Sequence, residues 1–265
     1  AADLAVDPSE PSSLAIPASV EHDGVAYAVT SVGPRALAGC DAAMVVIPAS
    51  VASVDQAAFE GSPVASVEVA EGNPEYSSYD GMLFDAGLTR LLLIPEGKQG
   101  AARIPKEAEV VDPSCFSHSA GVDAIDVEAG SAAYSSRNGC LYDASGETLL
   151  RVPAGVTEIQ IADGCATVAA GSMEGCSKLA TIHAPASVTE VHSSEHSSRI
   201  VVDTSRREDG ALWKAAGFQA TFAQQQETGS EADDIAEDAA VVDLSGRKLS
   251  KADDVVFAFH GNGGL

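Results

Sequence analysis

One short phrase recurs along this chain at intervals that return unchanged, and no other feature restricts its possible folds as strongly. It reads Ala36-Leu37-Ala38-Gly39-Cys40, Ala58-Phe59-Glu60-Gly61-Ser62, Cys115-Phe116-Ser117-His118-Ser119 and Ser172-Met173-Glu174-Gly175-Cys176. The central residues stand at 37, 59, 116 and 173, so the spacing is 22, then 57, then 57 again. A second phrase accompanies it as Ile16-Pro17-Ala18-Ser19-Val20, Ile47-Pro48-Ala49-Ser50-Val51 and Ala184-Pro185-Ala186-Ser187-Val188, with looser copies at 104–108 and 152–156. A single unit of this length cannot bury its apolar face; stacked neighbours can.

A third phrase accounts for the longer period. Tyr76-Ser77-Ser78-Tyr79-Asp80-Gly81-Met82-Leu83-Phe84-Asp85 is matched by Tyr134-Ser135-Ser136-Arg137-Asn138-Gly139-Cys140-Leu141-Tyr142-Asp143, and each is followed by an apolar run that ends in Pro95 or Pro153. Asp-Gly or Asn-Gly between apolar segments signals a two-residue hairpin, because a type I′ turn needs positive φ at both central residues. A unit of roughly 22 residues therefore alternates with an inserted hairpin of roughly 35. The unit reads as strand, tight turn, one short helical turn and strand.

The strands Ala42-x-x-Val45-x-Ile47, Val64-x-x-Val67-x-Val69, Val122-x-x-Ile125-x-Val127 and Leu179-x-x-Ile182-x-Ala184 fit the leucine-rich-repeat pattern L-x-x-L-x-L. Together with I-P-x-S-V, A-F-x-G-C and Y-x-S-x-D-G-x-L-F, they resemble the BspA-type leucine-rich repeats of bacterial surface proteins over residues 14–202. Cys176-Ser177-Lys178-Leu179-Ala180-Thr181-Ile182 is the best single match. The resemblance implies an α/β solenoid, right-handed, with a parallel sheet, short helical turns and inserted β-hairpins. It also implies a secreted or surface-displayed protein with a binding or adhesive role. It carries no catalytic residues and no cofactor.

The pattern predicts an interior. Val45, Ile47, Val67, Val69, Ile125, Val127 and Ile182 should point inward from the strands, and Leu37, Phe59, Phe116 and Met173 from the turns. Ser50 and Ser187 follow their strands at a bend whose backbone polar groups need partners, so their hydroxyls should bond to main chain. Residues 1–222 are expected to form the solenoid, closed by a helix near 209–218 in which Trp213, Leu212 and Phe218 cover the last coil. Residues 223–240 read as an acidic linker, and 241–265 as a short hairpin-like tail through which self-association is possible.

Charge narrows the function. Fifteen Lys+Arg against 39 Asp+Glu leave a net charge of −24, which argues against nucleic acid and anionic membranes as partners. No apolar run is long enough for a transmembrane helix. The N-terminus lacks a signal-peptide pattern, so an export signal is expected to be absent from this sequence. Five cysteines cannot all pair within one chain, and no Cys-x-x-Cys is present. Whether one disulfide forms is left open by the count.

His192-Ser193-Ser194-Glu195-His196 spells the inverted zinc-protease motif, which needs both histidines on one helical face. The flanking serines are poor helix formers, so a zinc-dependent hydrolase is a remote alternative, and no catalytic or metal residue is assigned. The main reading is a non-enzymatic recognition or adhesion protein whose partner is a protein or a host matrix component. The alternative is a structural spacer in a bacterial surface layer. Period-two alternation places Val46, Glu68, Asp126 and His183 in one row on the exposed sheet face, among small neighbours. The aromatic side chains Tyr76, Tyr79 and Tyr134 lie in the hairpins instead, with Phe84 and Tyr142. A partner is therefore expected at the hairpin-bearing edge, with basic segments favoured.

Overall fold

The structure, a computed structural model, describes residues 12–194 and 197–222. The chain winds as a solenoid in which each coil adds one parallel strand. One patch of sheet joins Ser13–Ala15, Met44–Ile47 and Ser66–Val69; a second joins Gly100–Ile104 and Val122–Val127; a third joins Glu158–Gln160, Thr181–Ala184, Val201–Thr204 and Gln219–Phe222. Two-residue strands on another side of the coils also pair in parallel, Ser31–Val32 with Ser53–Val54, and Thr167–Val168 with Glu190–Val191.

The expected single sheet is thus divided into three, and the hairpin tips divide it. The Val67 amide donates to the Gly81 carbonyl (2.9 Å) and the Val69 amide to Ser78 Oγ (3.1 Å). From the other side, the Arg103 amide donates to Asp80 Oδ2 (3.0 Å). The second insert repeats this: Ile125 N donates to Gly139 O (2.8 Å), Val127 N to Ser136 Oγ (3.1 Å), and Asn138 Nδ2 to Gln160 O (3.1 Å). Each tip takes the backbone donors that a next parallel strand would have used. A hairpin therefore stands where a strand would.

Both tips are positive-φ pairs, Asp80 and Gly81 at 52° and 74°, Asn138 and Gly139 at 51° and 73°. A third hairpin, Ser19–His22 with Val25–Ala28, turns at Asp23 and Gly24 with φ of 52° and 75°. It was not expected. Its Asp23-Gly24 signal is present in the sequence, but only Ser19 and Val20 of the hairpin belong to a recurring phrase, Ile16-Pro17-Ala18-Ser19-Val20.

The interior forms three apolar clusters in succession. Val45, Ile47, Val67, Ile125 and Ile182 are fully buried, and Leu37, Phe59, Phe116 and Met173 fill the turns. Val69 and Val127 are only half-buried, contrary to expectation, because each ends its strand where the chain leaves for the hairpin. Of the four expected helical turns, Gln56–Phe59 and Pro113–Phe116 are 3-10 helices, and residues 35–39 and 171–175 are hydrogen-bonded turns. Asp55 and Asp112 cap the two helices, each carboxylate accepting from an amide two residues on at 2.9 Å.

At the far end Gly210–Ala215 forms the α-helix, and Trp213 is buried with its ring edge-to-face on Phe218 at 5.2 Å. Ser50 Oγ donates to the Val29 carbonyl (2.8 Å), and Ser187 Oγ accepts from the Gly164 amide (3.2 Å), both reaching earlier coils. All five cysteines are free thiols. The readings made for residues 223–240 and 241–265 lie outside the described residues.

Candidate functional site

The sheet face comes first. Val46 pairs in register with Glu68, Asp126 with Arg103, and His183 with Gln160 on one side and Asp203 on the other. The four residues expected in one row therefore occupy three separate patches, with a hairpin tip between successive patches. Within the last patch the His183 ring is held between two carboxylates, Nε2 at 2.7 Å from Glu158 Oε1 and Nδ1 at 3.4 Å from Asp203 Oδ2.

The hairpin aromatics divide into framework and surface. The Tyr76 hydroxyl accepts from the Val54 amide (3.0 Å), and the Tyr134 hydroxyl accepts from Val111 N (3.0 Å) and donates to Glu109 O (3.1 Å). These matched tyrosines supply hydrogen bonds to the coil before their own insert, which is why tyrosine stands there. Phe84 and Tyr142 are completely buried, and the Tyr142 hydroxyl accepts from the Ala162 amide (3.0 Å). Tyr79 is different. Its ring lies edge-to-face on Phe84, and its hydroxyl donates to the exposed carboxylate of Glu128. That hydrogen bond, together with burial, pushes the phenol up to about 12. The same bond holds Glu128 below the usual carboxylate range. Tyr79 and Glu128 thus form a link between the first insert and the following coil.

Two further carboxylates serve the inserts. Asp85 accepts from the Thr89 amide (2.6 Å) and hydroxyl (2.5 Å) and from the Arg90 amide (3.0 Å). Asp143 does the same for Glu147 N, Thr148 N and the Ser145 hydroxyl. Burial works against both charges, yet these hydrogen bonds outweigh it and keep both pKa values lowered. Both aspartates end the hairpin phrase in the sequence, where nothing marks them for this task.

A groove lies beside the first insert and was not anticipated. The strand Arg90–Leu93, which leads out of the hairpin, passes between the capped 3-10 helices Gln56–Phe59 and Pro113–Phe116. The space between them is about 410 Å³. Phe59, Leu92, Leu93 and Ile94 form its apolar part, and Asp55, Glu60 and Glu96 bring carboxylates to it. Cys115 and His118 complete the far wall, with the Cys115 thiol pushed up to about 11 by burial. This size lies in the range of small-ligand and side-chain pockets. Its only signal in the sequence was a difference between two otherwise matching phrases, Leu91-Leu92-Leu93-Ile94-Pro95-Glu96 and Leu149-Leu150-Arg151-Val152-Pro153-Ala154.

Of the possible zinc site, Glu195 and His196 lie outside the described residues. His192 Nε2 is 3.3 Å from Glu190 Oε1. Among the described residues no group of three His, Cys, Asp or Glu side chains is placed to hold a metal ion. Among them, too, no helix is long and apolar enough to cross a membrane.

No protein-family model and no curated protein sequence matches this chain. Solved structures do. The pneumococcal vaccine antigen PcpA is 11% identical with a TM-score of 0.40, over 81% of this chain and 90% of that one. A leucine-rich repeat protein from Eubacterium ventriosum is 16% identical with a TM-score of 0.45, over 74% of this chain and 60% of that one. A leucine rich cell surface protein from Faecalibacterium prausnitzii is 16% identical with a TM-score of 0.34, over 72% and 68%. The solved structures that this chain resembles thus include bacterial leucine-rich-repeat and cell-surface proteins.

Proposed function

We infer that this chain is a non-enzymatic recognition module, secreted or displayed on a bacterial surface, that binds a polypeptide partner at its hairpin-bearing side. The observation that carries the reading is the groove beside the first insert. It combines apolar walls with three carboxylates, in a protein of net charge −24. Tyr76 and Tyr134 hold the inserts in place and leave Tyr79, Glu128 and the groove rim as the surface a partner would meet. The acidic surface favours basic segments at long range. Such attraction is largely screened beyond about 8 Å at physiological ionic strength.

The test is to pass the purified protein over an array of host matrix proteins, mucins and basic peptides at low and at high ionic strength. Capture of basic polypeptides that weakens as salt rises is the expected result. Self-association without capture of any polypeptide would favour a surface-layer spacer instead.

A further inference from the structure

The two inserts are internal copies, and one position differs between them in a way that indicates a ligand. In the second insert the residue before Val152-Pro153 is Arg151, whose side chain is completely buried although it is cationic. Its Nη1 donates to the Gly171 carbonyl (3.1 Å), its Nη2 donates to the Glu174 carbonyl, and its guanidinium carbon lies over the Phe116 ring at 5.6 Å. The chain is also locked there by the Val152 amide donating to the Ser172 carbonyl (2.8 Å).

The first insert keeps the ring and the turn of that seat but lacks the arginine, and Ser117 stands where the second insert has Glu174. Phe59 stands for Phe116, and the turn Ser114–Ser117 stands for Gly171–Glu174. Leu93 stands for Arg151 and packs in the same cluster as Phe59, but its side chain ends short. Ile94 and Cys115, which correspond to Val152 and Ser172, are not hydrogen-bonded to each other, and the groove of about 410 Å³ opens between them and the Phe59 turn. A second exchange accompanies the first. The buried Ala154, three residues after Arg151, is replaced by Glu96, whose Oε2 accepts from the Gly61 amide (3.2 Å) at the groove wall while its Oε1 makes no hydrogen bond among the described residues. The carboxylate of Glu174 acts on Arg151 in the second insert; the first insert has Ser117 at that position and places the carboxylate of Glu96 at the copy that lacks its cation.

The geometry points to this groove as a receptor for an arginine side chain of a partner polypeptide, which enters where Arg151 sits in the second insert. The guanidinium would lie against Phe59, donate to the carbonyls of the Ser114–Ser117 turn and face Glu96, with Glu60 and Asp55 at the rim. Arginine suits the seat better than lysine because its planar group stacks on a ring while its several donors fork between acceptors. The inference rests on the recognition reading above and specifies the group that is recognised.

The experiment titrates the isotope-labelled protein with the tripeptide acetyl-Gly-Arg-Gly-amide and its lysine and citrulline analogues, following the amide signals of Gly61, Ile94 and His118. The arginine peptide is expected to shift these signals in a saturable way and the citrulline peptide to leave them unchanged. Glu96→Gln should weaken the arginine response about tenfold, the factor that goes with one charge-assisted hydrogen bond. Leu93→Arg should abolish it by filling the seat from within. If that variant does not fold, Glu96→Gln decides alone. An equal response to the lysine peptide would overturn the assignment to arginine. Shifts confined to the sheet face or hairpin tips would overturn the seat while leaving recognition of basic segments standing. No response to either cationic peptide at low salt, together with no capture of basic polypeptides on the array, would overturn both.

Discussion

The guanidinium of Arg151 lies over the ring of Phe116, 5.6 Å from its centroid, where the second insert meets the coil before it. Both side chains are completely buried, and no carboxylate is hydrogen-bonded to the cation within this contact. Two carbonyls and an aromatic face solvate the charge directly, with the Glu174 carboxylate acting on it electrostatically and Nε left without a hydrogen-bond partner among the described residues. Burial accordingly lowers the pKa of the guanidinium, although an arginine stays protonated at any ordinary pH.

A double-mutant cycle should find this contact coupled. Phe116→Leu and Arg151→Met are each expected to destabilise the solenoid, and the coupling between them should be about 0.5–2 kcal/mol. Phe116→Ala alone should cost roughly 3–5 kcal/mol, since a fully buried ring is removed. Denaturant titrations of the four cycle proteins measure the coupling. Additive single effects would mean that the cation and ring merely adjoin.

The two hairpin tips should respond unequally to alanine. Gly81 and Gly139 have nearly the same positive φ, so each substitution carries a similar backbone cost, about 1–2 kcal/mol. A Cβ on Gly81, however, would lie 2.8 Å from Ser66 Oγ and 3.3 Å from its Cα, whereas on Gly139 the nearest atom is the Ala124 Cβ at 3.5 Å. Gly81→Ala should therefore lower the unfolding midpoint more than Gly139→Ala. The reverse order in thermal melts would contradict the tip geometry.

Alkaline titration should separate Tyr79 from the other tyrosines. Its pKa is raised from 10.0 to about 12, so the stability that goes with its hydrogen bond is complete below pH 10 and disappears as pH rises through 12. Glu128 is shifted the other way: its contribution is complete above pH 4.5 and disappears as the pH falls through its lowered value. Tyr79→Phe should remove the late phenolate absorbance and move the Glu128 carboxyl signal up toward its ordinary value. The Lys106 amide, which also donates to Glu128, should retain part of the shift. A Glu128 titration unchanged by Tyr79→Phe would dissolve the link.

Thiol reactivity should follow burial. Cys140, Cys165 and Cys176 are buried, and desolvation raises all three pKa values, Cys140 to about 12 and Cys176 to about 11. The thiolate is the reactive form, so these three should resist a disulfide reagent at neutral pH until the protein is unfolded. Cys40, half-buried in a turn, should be labelled first. Peptide mapping after a brief exposure gives the order, and early modification of Cys140 would be incompatible with the packing described.

What the sequence determined by itself is everything that depends on near neighbours along the chain. The 22- and 57-residue spacing marked the coils, the alternation of Val45, Ile47, Val67, Ile125 and Ile182 marked the interior, and Asp80-Gly81 and Asn138-Gly139 marked the hairpins. Local sterics and side-chain period set these features, and they are written in consecutive residues. What those hairpins do follows from how the coils stack. Gly81 and Gly139 offer carbonyls to Val67 and Ile125, so the tips replace a strand and divide the sheet, and Glu68, Asp126 and His183 fall into separate patches. The same stacking decided that Tyr76 and Tyr134 serve the framework and that Leu93, in place of an arginine, leaves a groove. Such outcomes depend on which backbone groups of one coil remain unpaired when the next coil arrives, and those partners lie nine or more residues apart in the chain.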